Sequence, residues 1–315
     1  MTVTPLPTTH IAEIAPRPAD DPWLVRSLWP ASAVGLIGGP PKCAKTWLAL
    51  DLALSVASNT PCLGTLTVES PGPVLLYLAE DSLQSARARV EGICEHRRLD
   101  LRRADLHLIT VPSLRLDQDH DKQRLSATVE KVRPRLLLLD PFVRLHRSDE
   151  NDSGAISAIL ADLRALQRRF DVAVVLVHHA RKNGRGPQGY ALRGSGDFYA
   201  WGDAYAYLSR RDTAFRLALE HRSHPAADPL ALKLVSRADG SATHLEIVGE
   251  HTPTAPPSLE ALAESELVAA GAALTRQQLR ARLKVNNQRL GGALETLQRA
   301  GRVTKTPHGW LSAGQ

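Results

Sequence analysis

A chain of 315 residues has room for one sizeable α/β domain and a small appendage. Its formal net charge of +6 is mild, and no apolar run approaches the ~20 residues that a membrane-spanning helix needs. Cys43, Cys62 and Cys94 form no Cys-x-x-Cys pair, which argues against a disulfide or zinc framework and fits a reducing, cytoplasmic setting.

Residues 1–22 are rich in Pro and Thr, have no signal-peptide core, and read as a flexible arm. Trp23 to Pro30 is an approach segment, with Trp23, Leu24, Leu28 and Trp29 available for packing. The apolar run Ala33 to Ile37 then leads into Gly39-Pro40-Pro41-Lys42-Cys43-Ala44-Lys45-Thr46, and Trp47 to Ala57 is an amphipathic helix. Strand, tight loop and helix with Lys-Thr in the first turn is the context of a phosphate-binding P-loop. Backbone N–H groups and the positive end of the helix would cradle a polyphosphate from Gly39 to Trp47. Lys45 would reach the β/γ-phosphates, and the Thr46 hydroxyl would ligate Mg²⁺. Ala44 stands where G-x-x-x-x-G-K-[ST] has its second glycine, and alanine is compatible with a helix start.

Further along, Val74 to Leu78 is a short apolar strand, and Ser82 to Arg98 a helix with Leu83, Ala86, Val90 and Ile93 on one face. Leu106 to Val111 and Arg135 to Leu139 are strands on either side of a helix from Asp121 to Val132. Asp152 to Phe170 is a long helix with a stripe of Ile156, Ile159, Leu160, Leu163 and Leu166. Val172 to Val177 is a fourth apolar strand. Continuously apolar strands alternating with helices predict a mainly parallel sheet covered on both faces, with the ligand at the carboxyl ends of the strands. Ala180 to Gly196 reads as a basic, glycine-rich loop. Ala204 to Ser209, Phe215 to Arg222, Leu230 to Ser236 and His244 to Val248 read as a β-meander.

Three acids and two histidines follow the buried strands. Asp140 after Leu136 to Leu139 has the Walker-B pattern of a carboxylate that holds Mg²⁺. Glu80 would reach the same edge and polarise the attacking water, whereas Asp81 or Ser82 suits the cap of the next helix. His178 and His179 end the fourth strand, where one of them could hydrogen-bond the γ-phosphate.

In this order, the P-loop, Leu78-Ala79-Glu80-Asp81, Leu139-Asp140, His178-His179-Ala180-Arg181-Lys182 and Arg193-Gly194-Ser195-Gly196 resemble the RecA-like ATPases over residues 23–250. The branch they look like is the RepA-type hexameric replicative helicases. The resemblance implies ATP and Mg²⁺ as cofactors, Glu80 as catalytic base, and His179 (or His178) as the link between γ-phosphate and the DNA-binding loop. It also implies a homo-oligomeric ring or filament, with an arginine finger donated by the neighbour. Leu219-Glu220-His221-Arg222 is similar to the strand-end Lys-x-Arg pair of ring helicases, with Glu220 in place of the lysine. Arg222 is the candidate finger, and Arg210 and Arg211 are alternatives. Arg181, Lys182, Arg185 and Arg193 would line a central channel and grip single-stranded DNA through its phosphates.

Residues 251–257 are a Pro-rich linker by composition. Beyond it, Ser258 to Ala270, a helix begun at Leu274-Thr275 and a third from Asn287 to Ala300 precede a hairpin over Gly301 to Leu311. That pattern resembles a winged helix-turn-helix over residues 258–315, which carry a net charge of +4. Arg289 on the third helix and Lys305 on the wing would contact duplex DNA. The expected function is a Mg²⁺-ATP-dependent DNA helicase of plasmid or mobile-element replication. The alternative is a nucleotide-switched DNA-binding regulator, or a recombination or repair accessory ATPase, without unwinding activity.

Overall fold

The computed structural model describes residues 6–14, 23–148, 152–179, 196–211, 214–225, 227–239, 241–248, 259–283, 285 and 287–313. The chain divides into two compact units, residues 1–251 and 252–315. The loop expected at Ala180 to Gly196 (apart from Gly196 itself) and the linker at 251–257 lie outside the described residues.

After a single 3-10 turn at Ile11–Glu13, the first unit runs β1 (Trp23–Val25), β2 (Trp29–Pro30), β3 (Val34–Gly39), α1 (Lys45–Ser58), β4 (Val74–Leu78), α2 (Leu83–Arg97), β5 (Leu106–Leu108), α3 (Asp119–Val132), β6 (Leu136–Asp140) and α4 (Ser153–Phe170). It continues through β7 (Ala173–His179), α5 (Gly196–Trp201), β8 (Ala204–Arg211), β9 (Ala214–His221), β10 (Leu230–Ser236) and β11 (Ala242–Ile247). β3 to β11 form a nine-stranded sheet in the order β11-β10-β9-β8-β3-β7-β6-β4-β5. Every pairing from β8 through β3 to β5 is parallel, and the meander β8 to β11 extends the sheet antiparallel.

Alternation along the strands sorts their side chains onto two faces. Leu136, Leu138, Val175 and Val177 pack on the face that carries α1 and α2, whereas Leu137, Leu139, Val174 and Leu176 pack against α4. All eight are buried. Each contributes about 1.5–3 kcal/mol of apolar burial, which explains why these short strands tolerate no polar interior position.

The α4 stripe is buried as its spacing predicts, and the Asp152 carboxylate caps the helix by accepting from the Ala155 amide at 3.2 Å. Ser82 caps α2, its hydroxyl accepting from the Ser85 amide at 3.0 Å. On α2 one expectation fails: Leu83, in the first turn, is 49% exposed. Gly92 and Cys94 are buried instead. Another shortening is at β5, which ends at Leu108 rather than Val111, at the edge of the sheet where only β4 can pair with it. Arg97 reaches back to the buried Asp51 of α1 at 2.6 Å and ties α2 to the P-loop helix.

The second unit comprises α6 (Leu259–Ala270), α7 (Arg276–Leu283), α8 (Asn287–Arg299) and the antiparallel hairpin β12 (Val303–Thr306) and β13 (Gly309–Ser312). Ala263, Leu267, Leu274, Leu279, Leu290, Leu294, Leu297 and Val303 make its core. Thr275 and Gln278 form a capping box: the Thr275 hydroxyl accepts from the Gln278 amide at 3.3 Å, and Gln278 Oε1 accepts from the Thr275 amide at 2.8 Å.

Candidate active site

β3 delivers the P-loop beside two neighbours, and small residues let them approach. A Cβ on Gly39 would overlap the Leu208 carbonyl, and its φ of +150° favours glycine. The loop then turns through two left-handed residues, Lys42 at φ 62° and Ala44 at φ 61°, flanking Cys43. Such a turn gathers backbone N–H groups into an anion-binding concavity at the start of α1. The Cys43 thiol is buried and donates to the Pro40 carbonyl at 3.0 Å, so it braces the loop from behind.

Ala44 differs from the helix-start alanine expected: it is the N-cap of α1 in the left-handed region, where a methyl costs about 1–2 kcal/mol. Less the greater chain entropy of glycine, Ala44→Gly is expected to stabilise the protein by roughly 0.5–1 kcal/mol. Denaturant titration checks this; a lower midpoint would mean that the methyl carries no strain.

Lys45 is 4% exposed, and its ammonium donates to the carbonyls of Gly39 at 3.0 Å and Pro40 at 2.8 Å. One of its three hydrogens is left for an anion. Burial pulls its pKa below the ordinary lysine value, and the nearby Cys43, Asp140 and Glu80 oppose the shift. Trp47 lies one turn position on, with the Arg89 guanidinium 5.6 Å from its ring centre and Arg89 in turn paired to Asp81 at 2.8 Å.

Asp140 ends β6, two strands from the P-loop, with β7 between. It is 6% exposed, and its Oδ2 is buried with no hydrogen-bond partner among the described residues. Burial pushes its pKa up to about 6; the Asp81 and Glu80 charges add to the shift, while the Thr46 hydroxyl, which donates to it, and Lys45 oppose it. A buried carboxylate with one oxygen unused, beside a hydroxyl and an ammonium, fits a cation held against a polyphosphate. No group of three or more His, Cys, Asp or Glu among the described residues could hold a metal by itself. Mg²⁺ would therefore share Thr46 and Asp140 with nucleotide oxygens and water.

Glu80 follows β4, which pairs with β6 so that the Ala79 amide donates to the Asp140 carbonyl at 2.7 Å. Its carboxylate is half exposed and accepts from Arg144 Nε at 2.8 Å. The two histidines part company by strand alternation. His178 is buried against Phe198, ring centres 4.6 Å apart, and burial pushes its pKa down to about 4. His179 stands level with Gly39 in the β3–β7 register and is half-buried; burial lowers its pKa, and the charges of Lys45, Glu80 and Arg144 all reach it. Its imidazole stands at the P-loop edge.

Arg222 is elsewhere. Its amide donates to the Asp203 carbonyl, and the Asp203 amide donates to Val34, at the start of β3. Five residues of strand therefore separate it from Gly39, roughly 17 Å. Its guanidinium pairs with Asp203 at 3.2 Å and donates to the Ala200 carbonyl at 2.5 Å. Arg210, by contrast, lies near Cys43 at the P-loop edge. Arg181, Lys182, Arg185 and Arg193 fall outside the described residues, as does the side chain of Arg289 on α8. Lys305 on β12 is exposed, its ammonium 5.9 Å from the Trp310 ring centre. Sequence reasoning missed Arg144: a charge four residues past a strand-end acid is no motif, and its partner lies 64 residues away.

The AAA domain family matches residues 2–185, more than half of the chain. The chain belongs to that family. Among solved structures, a DnaB-like replicative helicase described with its interactions with primase shares the fold at 19% identity and a TM-score of 0.52. The match covers 69% of this chain and 59% of the helicase, so the AAA domain protein spans little more than half of that relative's length. The RadB recombinase aligns over 65% of this chain and 88% of its own, at 19% identity and a TM-score of 0.49. The first unit is thus a RecA-like P-loop ATPase fold with a large, mainly parallel sheet. No helix among the described residues is long and apolar enough to cross a membrane.

Proposed function

We propose that this AAA domain protein hydrolyses Mg²⁺-ATP at the edge where β3, β4, β6 and β7 end, and that hydrolysis acts on DNA through an oligomer of the RepA-type helicase class. The observation that supports the reading most is the gathering of Lys45, Thr46, Asp140, Glu80 and His179 at one edge of the sheet. Lys45 and the loop amides hold the phosphates. Thr46 and Asp140 would hold Mg²⁺, which would supply charge neutralisation at the phosphate oxygens. Glu80 accepts the proton of the attacking water as its oxygen bonds the γ-phosphorus, and the bridging P–O bond breaks with its electron pair leaving on ADP. His179 hydrogen-bonds the terminal phosphate and stands directly before the basic stretch containing Arg181, Lys182, Arg185 and Arg193, which would track a single strand.

In the second unit, Arg289 and Lys305 would contact duplex phosphates in the manner of a winged helix-turn-helix. Arg222, roughly 17 Å along β3 from its own P-loop, could serve only a neighbour's nucleotide. Its engagement by Asp203 supports the second reading, a nucleotide-switched DNA-binding protein with slow turnover. The test is ATP turnover with and without single-stranded DNA, in mixtures of wild type and Arg222→Ala. Stimulation by DNA, and loss of activity beyond simple dilution on mixing, is the expected result. Turnover per subunit that is indifferent to DNA and to mixing would contradict the oligomeric reading. Strand displacement from a forked duplex separates the helicase from the switch.

A further inference from the structure

Glu80 has one charged partner in the described chain, and that partner is firmly rooted. Arg144 closes the 3-10 turn Phe142–Arg144, which begins two residues after Asp140. Phe142 and Leu145 on either side are fully buried. Arg115 Nη1 donates to the carbonyls of Arg144 at 2.8 Å and His146 at 3.1 Å, and the Leu116 amide donates to Leu145 at 2.6 Å. The backbone of Arg144 is thereby fixed, while its guanidinium, 61% exposed, meets a Glu80 that is 47% exposed.

An ion pair so open to water adds little to stability, so its consequence is orientation. Glu80 stands on the connection after β4 and would otherwise sample several rotamers. A carboxylate has two oxygens; Arg144 engages Oε1 and leaves Oε2 to accept from a water.

We infer that Arg144 is a positioning residue for hydrolysis, holding the Glu80 carboxylate in register with the Asp140 turn so that one oxygen faces the attacking water. The inference rests on the reading of Glu80 as the base. It requires that losing Arg144 lower turnover through Glu80 alone, and leave the nucleotide's affinity and the fold untouched.

The experiment uses the full-length protein and measures kcat for MgATP, the Kd of a non-hydrolysable ATP analogue and the melting temperature. Arg144→Ala is expected to lower kcat by about tenfold, with Kd changed less than about twofold and melting unchanged. Arg144→Lys should recover part of the loss, since an ammonium can still hold Oε1. Adding Arg144→Ala to Glu80→Gln should change the residual rate by less than about twofold, because the residue acts through Glu80. Wild-type kcat in Arg144→Ala while Glu80→Gln is inactive would overturn the inference and leave the base in place. So would a further tenfold loss in the Glu80→Gln background. Wild-type turnover by Glu80→Gln itself would remove the base assignment, and the inference with it.

Discussion

Lys45→Ala is expected to weaken binding of MgATP at least about a hundredfold. The ammonium is held in the loop by the Gly39 and Pro40 carbonyls, so its position is set before any ligand arrives. A hydrogen bond to a charged group contributes about 1.5–3 kcal/mol, and the upper end applies where the donor is buried and already oriented. Alanine removes that donor and leaves the two carbonyls without their partner. Calorimetric titration checks the effect, and the Ala44→Gly protein, altered in the same loop with Lys45 intact, serves as its control. Equal affinity in wild type and Lys45→Ala would exclude a P-loop role for this segment.

Asp140→Asn should have opposite effects on fold and function. The buried carboxylate keeps its proton to about pH 6 in the folded chain, against an ordinary value of 3.8. The folded protein therefore binds more protons than the unfolded chain between these values, and its stability falls as pH rises from about 4 to about 6. The total is about 3 kcal/mol, from a shift of about two units at 1.36 kcal/mol each. Asp81 and Glu80, beyond β4, add to the penalty, and Lys45 and Thr46 of α1 offset it. Asparagine carries no charge to bury, so without nucleotide the variant should match wild type near pH 4 and exceed it above pH 6. With MgATP the order should reverse and turnover should be lost. Thermal melts across pH 4–8 read this directly; parallel pH profiles for the two proteins would contradict it.

What the sequence carried and what it did not divide on a physical line. β3, β4, β6 and β7 are apolar up to their carboxyl ends because both faces of the sheet are covered, and that signal is local. The acids and histidines that end these strands reach a common edge because parallel pairing aligns their carboxyl ends, so their convergence was legible too. Leu83 is half exposed although it lies on the apolar stripe, because helical periodicity gives a face but not how fully that face is covered. The left-handed Ala44 was hidden, since residue type suggests a helix start where loop closure imposes φ 61°. The pairings of Glu80 with Arg144 and Arg222 with Asp203 form at the ends of neighbouring strands between residues well apart in sequence, and have no local pattern at all.

The most direct test of the central claim is a paired measurement on Glu80→Gln: analogue affinity by titration and phosphate release in a single turnover. Glutamine keeps the shape and can still accept from Arg144, but it cannot take a proton from water. The account predicts wild-type affinity within about twofold and a rate reduced at least about a hundredfold. Phosphate release at the wild-type rate, with nucleotide bound normally, would contradict it.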